Sequence, residues 1–106
     1  MSSFTSQLVL QLPTAALDGF DDMVTLEDAI IEALSGHPHT VDGHDIGSGT
    51  VNFFVYTDNP AAAFAIAVEA FAPTERAALK AAFRRFDSDE YSNLWPSGSR
   101  EPFHVI

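Results

Sequence analysis

The sequence predicts an α+β fold of the ferredoxin-like kind, a β-α-β-β-α-β sandwich whose antiparallel sheet carries two or three helices on one face. Three observations predict it. Ser6–Leu12 alternates with a period of two, Leu26–Leu34 repeats its apolar residues with helical spacing, and Thr50–Tyr56 alternates again ahead of a proline-initiated helix. The 106 residues suit one domain, 1–106, and a hydrophobic content of 46% with nine Phe is enough to bury a core.

Each element has its own reason. In the first strand Leu8, Leu10 and Leu12 share one face, Gln7, Val9 and Gln11 the other, and Pro13 ends it. Thr14–Met23 holds Gly19 and three Asp and reads as a loop or a short irregular helix. Thr25-Leu26-Glu27-Asp28 resembles a capping box with Thr25 as N-cap. Leu26, Ala29, Ile30, Ala33 and Leu34 then form one helical face, and Gly36 can close the helix in a left-handed conformation. His37–Asp42 is β-compatible, Gly43–Gly49 reads as a polar turn with a bulge, and Thr50–Tyr56 completes a hairpin. Asn59 and Pro60 suit the N-cap and first position of a second helix that Pro73 stops. Thr74–Phe86 fits a third helix, or Phe83–Phe86 fits a strand paired with Tyr91–Trp95; over so short a run the apolar residues satisfy both periods. Pro96–Ser99 reads as a loop and Pro102–Ile106 as a last strand.

The charge is large and unevenly placed. Fifteen acidic residues face five basic ones, for a formal net charge of −10. Residues 1–75 hold eleven acids and no Lys or Arg, whereas 76–106 hold Arg76, Lys80, Arg84, Arg85 and Arg100 with four acids. Such a balance argues against nucleic acid, whose phosphates are neutralised by Lys and Arg, and against anionic membrane surfaces. It favours another protein as partner, a basic one in particular. With no cysteine, disulfides and thiol chemistry are excluded. The N-terminus lacks the basic residue of a signal peptide and no apolar run approaches ~20 residues, so a cytoplasmic protein is expected.

Two groups of residues are candidates for a site. The first is His37, His39, Asp42, His44 and Asp45, three imidazoles and two carboxylates within nine positions, a donor set that suits a first-row metal. Its spacing matches no established ligand pattern, and strand alternation would divide it between two faces. A solvent-facing polar hairpin is the simpler reading, and no cofactor is implied. Gly47-Ser48-Gly49 leads into a strand rather than a helix, so it lacks the geometry of a phosphate loop. A Ser48–His44–Asp42 set on one loop lacks the rigidity that catalysis requires.

The second group is Asn52, Phe54 and Tyr56 on one face of the strongest strand, with Trp95, far along the chain, as either a core residue or a further apolar anchor. If helices cover only the other face of the sheet, this aromatic row is partly open and marks a partner surface. Asn52 is expected to bond across the hairpin to the Gly43–Gly49 loop, since a buried amide needs a partner.

The run Gly43-His44-Asp45-Ile46-Gly47-Ser48-Gly49-Thr50-Val51-Asn52-Phe53-Phe54-Val55-Tyr56-Thr57-Asp58-Asn59-Pro60, with the later Tyr91, Leu94, Trp95 and Pro96, is similar to a group of small uncharacterised bacterial proteins. That resemblance implies a bacterial, cytosolic, single-domain protein and carries no catalytic role. In size, charge and architecture the chain is also similar, as a class, to bacterial immunity proteins. The function expected is therefore a non-enzymatic protein-binding module, self-associating through a sheet face or edge or docking a basic protein. The alternative is a small metal-binding protein or metal-dependent enzyme centred on His37–Asp45.

Overall fold

A computed structural model describes residues 4–17 and 19–105 of the chain. It is an α+β structure: a five-stranded antiparallel sheet with three helices, in the order β1 (Ser6–Pro13), α1 (Phe20–Leu34), β2 (His39–Gly47), β3 (Thr50–Thr57), α2 (Pro60–Ala67), α3 (Pro73–Ala78), β4 (Lys80–Arg85) and β5 (Ser92–Trp95). The spatial order is β2-β3-β1-β4-β5, so β1 lies at the centre and β2 and β5 form the edges.

Alternation in β1 sets the two faces. Leu8, Leu10 and Leu12 pair in register with Val55, Phe53 and Val51 of β3, and all six are fully buried. Onto this face pack Met23, Leu26, Ile30 and Leu34 of α1, Ala63 and Ala67 of α2, then Phe71 and Leu79. At ~1.5–3 kcal/mol for each large apolar side chain removed from water, this layer holds most of the folding free energy.

The first helix begins a turn earlier than its capping signal suggests. Thr25 lies inside α1 and returns its hydroxyl to the carbonyl of Asp21 (2.9 Å), while Gly19 occupies the N-cap at φ +93°. Met23 extends the Leu26–Ile30–Leu34 stripe by one turn, and its burial to 2% exposure outweighs a better cap further on. Asp21 and Asp22 then fall in the first turn, where the helix dipole favours them. Gly36 closes the helix at φ +81°.

The hairpin is tighter than a Gly43–Gly49 loop. β2 continues to Gly47, and Ser48 and Gly49 turn alone, both at positive φ (54° and 77°), as two-residue hairpins require. The bulge falls instead between Val41 and Gly43.

A third helix through Phe86 does not form. The chain has only six helical residues, Pro73–Ala78, before it enters β4, which pairs with β5. Central β1 is paired with β3 on one side, and its outward N–H and C=O groups would be buried without partners if 80–85 were helical. The expected strand over Pro102–Ile106 is also absent in 102–105, which run without ladder pairing; Ile106 lies outside the described residues.

Candidate functional site

The five residues of the histidine-rich segment do not converge. His37 is exposed and precedes β2. His39 is buried at 8% exposure, with Nδ1 2.7 Å from the Thr57 hydroxyl. That hydroxyl oxygen already accepts the Asn59 N–H (2.9 Å), so its own proton can go to a neutral imidazole. Burial lowers the pKa of His39 from 6.5, and the neighbouring His37 lowers it further. His44 Nδ1 meets Glu27 Oε2 of α1 at 2.9 Å. Asp42, displaced by the bulge, accepts a hydrogen bond from Tyr56, and Asp45 is exposed at a position opposite Asn52. Among the described residues no three His, Asp or Glu side chains are placed to hold a metal ion. The expected ligand set of His37, His39, Asp42, His44 and Asp45 is thus not assembled, because alternation sends its members to two faces and each imidazole in the strand finds a different partner. Nor do Ser48, His44 and Asp42 form a catalytic set, since His44 is held by Glu27 and Asp42 by Tyr56.

The second group divides as well. Trp95 packs on the helix-bearing side, its ring 5.9 Å from that of Phe64 and its Nε1–H donated to the carbonyl of Arg76 (3.1 Å). Asn52, Phe54 and Tyr56 lie together on the opposite face. Phe54 and Tyr56 are half-buried, but Asn52 has no exposure at all. Its side-chain oxygen accepts from Gln11 Nε2 of the neighbouring strand (2.9 Å), so a partner comes from β1 across the sheet. Tyr56 sits between Phe4 and Phe86, with centroids at 6.3 and 5.5 Å. Its pKa is raised, first by the hydrogen bond to Asp42, then by burial and by that carboxylate's charge, with Arg84 opposing.

Among the described residues no helix covers this second face, yet Val9, Asn52 and Ala82 have no exposure. The C-terminal segment supplies the cover. Gln11 Nε2 donates a second hydrogen bond to the carbonyl of His104 (2.8 Å), Asn93 Nδ2 donates to the carbonyls of Ser99 (3.2 Å) and Glu101 (2.7 Å), and the Phe103 ring lies 5.2 Å from that of Tyr91. Residues 99–105 therefore form a strap across the sheet. Beside it Lys80, Asn93 and Glu101 border a recess of about 390 Å³. Sequence reasoning missed Gln11, Asn93 and the strap. The signal at Gln11 was a polar residue between two leucines, on the face it shares with Val9; the strap has no periodicity to read.

The strand order also converts the charge asymmetry into a spatial one. The acidic α1 packs beside edge strand β2, and His44–Glu27 joins them. Together they carry Asp21, Asp22, Glu27, Asp28, Glu32, Asp42 and Asp45 with no Lys or Arg. Lys80, Arg84 and Arg85 lie on β4, three strands from β2 and so ~14 Å away at ~4.8 Å per strand. Arg76 is beside Trp95 of β5 and pairs with Glu69 (2.8 Å), and Arg85 pairs with Asp87 (3.3 Å). Among the described residues no helix is long and apolar enough to cross a membrane.

Comparison of the chain with protein-family models, with curated proteins and with solved structures found no match.

Proposed function

We propose that this chain is a non-enzymatic binding module that docks a basic protein against the flank formed by α1 and β2. The observation that carries the reading is the flank itself: seven carboxylates on one helix and the adjoining edge strand, with every Lys and Arg of the chain outside them. Such a field accelerates encounter with an oppositely charged partner and sets its orientation. A molecule of 36 × 32 × 23 Å has flanks wide enough for the ~800 Å² that each partner buries in a standard interface. Asp42 and Asp45 on the edge strand repel the same strand of a second copy, so the partner at this edge is a different chain. An immunity-like inhibitor of a basic toxin or nuclease is the specific version of this reading, consistent with the resemblance to small bacterial proteins. The ferredoxin-like description belongs to the same reading. It is supported by the order β2-β3-β1-β4, with β5 added outside β4.

The test is capture of partners from a bacterial lysate by the full chain at low and high salt, with two charge-reversed variants. Asp28→Lys with Glu32→Lys alters the flank; Asp87→Lys with Asp89→Lys alters the opposite side. Capture of a basic protein that is lost at high salt and in the flank variant, but kept in the other, is the expected result. Equal loss in both variants, or no salt-sensitive partner, refutes the reading.

A further inference from the structure

The second face of the sheet holds a groove that the chain fills with its own C-terminal segment. Its floor is built from β1, β3 and β4, where Val9, Asn52 and Ala82 are fully buried and Gln11 is 7% exposed. Two features make it a recognition surface rather than a packed core. First, the floor reads the strap through backbone carbonyls: Gln11 takes that of His104, and Asn93 takes those of Ser99 and Glu101. Any extended segment presents the same carbonyls. Second, the strap is lightly held. Arg100, Glu101, Pro102, His104 and Val105 are exposed, and Phe103 against Tyr91 is its ring anchor. Pro96–Ser99, which leads into it, is a polar turn with Gly98 at φ +78°.

We propose that this groove is a docking site for an extended segment of a partner protein, of the pattern acid, any residue, aromatic, and that residues 99–105 occupy it as an internal competitor. The pattern is that of the occupant, Glu101-Pro102-Phe103. Glu101 and Lys80 border the same recess, and the aromatic residue meets Tyr91. The charge preference is thus opposite to that of the α1–β2 flank, and the site is independent of it. An intramolecular occupant competes at an effective concentration on the order of millimolar, and a partner's apparent affinity is reduced by the fraction of strap that is open.

The experiment uses the full chain and a fluorescent peptide reproducing residues 99–105. Binding is measured by anisotropy to the unmodified protein and to Phe103→Ala, whose own strap has lost its anchor while the peptide keeps the ring. We expect at least tenfold tighter binding by Phe103→Ala. Glu101→Ala, which leaves the ring in place, serves as a second opened chain should Phe103→Ala lose its circular-dichroism signature. In the opened chain Lys80→Glu, at an exposed position, weakens the peptide, and a peptide carrying Glu101→Lys recovers the loss. Equal binding by closed and opened chains, or binding by neither, overturns the proposal. So does a doubled mass of the opened chain in sedimentation, which would assign the groove to the strap of a second copy.

Discussion

The buried pair Gln11–Asn52 joins the fold to the strap, and replacing it makes a quantitative test. Gln11 Nε2 donates to Asn52 Oδ1 at 2.9 Å and to the His104 carbonyl at 2.8 Å. Gln11→Leu removes both bonds, at about 1 kcal/mol each, and leaves the Asn52 oxygen without that donor at zero exposure, which costs about 1–3 kcal/mol more. The expected destabilisation is about 3–5 kcal/mol. That is a large part of the ~5–15 kcal/mol available to a domain of this size. Asn52→Leu costs less, about 1–3 kcal/mol, because Gln11 keeps its bond to the strap. In the double variant the Gln11–Asn52 bond is lost only once, so its destabilisation falls short of the sum of the two single losses; His104 is exposed and its carbonyl can turn to water. Urea unfolding followed by the fluorescence of Trp95, the chain's single Trp, measures all three. With an m-value of ~1.5 kcal/mol/M, Gln11→Leu lowers the midpoint by about 2–3 M. If the double variant loses the sum of the two single losses, the side chains act independently and the reasoning fails.

Two further outcomes follow from the titrating groups. Because burial lowers the folded-state pKa of His39 below 6.5, the unfolded chain takes up the proton first as pH falls. This contribution to stability is complete above pH 6.5 and is lost below it, down to the folded pKa. Urea midpoints at about pH 7.5 and about pH 5 should therefore differ less in His39→Asn than in the unmodified protein; an identical difference rejects the buried neutral imidazole. Tyr56 is held above its ordinary value chiefly by Asp42, so Asp42→Asn moves its ultraviolet phenolate titration to lower pH. An unchanged curve would remove Asp42 as the cause.

Elements with a strong local period were legible. The alternating leucines of β1, the Leu26–Ile30–Leu34 stripe of α1 and the alternation of β3 each report one buried face, and the Asn59-Pro60 start of α2 is a local hydrogen-bonding device, with Asn59 accepting the Ala62 N–H at 3.2 Å. The choice between helix and strand over 80–85 was not legible, because it depended on which groups of β1 still lacked partners. The same reason hid the fate of the histidines. Proximity in sequence placed His39 and His44 together, but the partners that hold them, Thr57 and Glu27, lie 18 and 17 residues away.

The sequence by itself determined the fold class, the apolar face of each main element and the fact that acidic and basic residues are segregated along the chain. These are properties of composition and short-range period. Only the tertiary structure decided what the segregation means. Placing β2 at one edge and β4 three strands away turns a division along the chain into an acidic flank set apart in space from Lys80, Arg84 and Arg85. Folding residues 99–105 across the face without helices lays a strap there that is anchored 93 residues away at Gln11, while Phe4 and Phe86 flank Tyr56 on the same face. Contacts of that separation leave no local pattern, because each depends on the register of the strands between them.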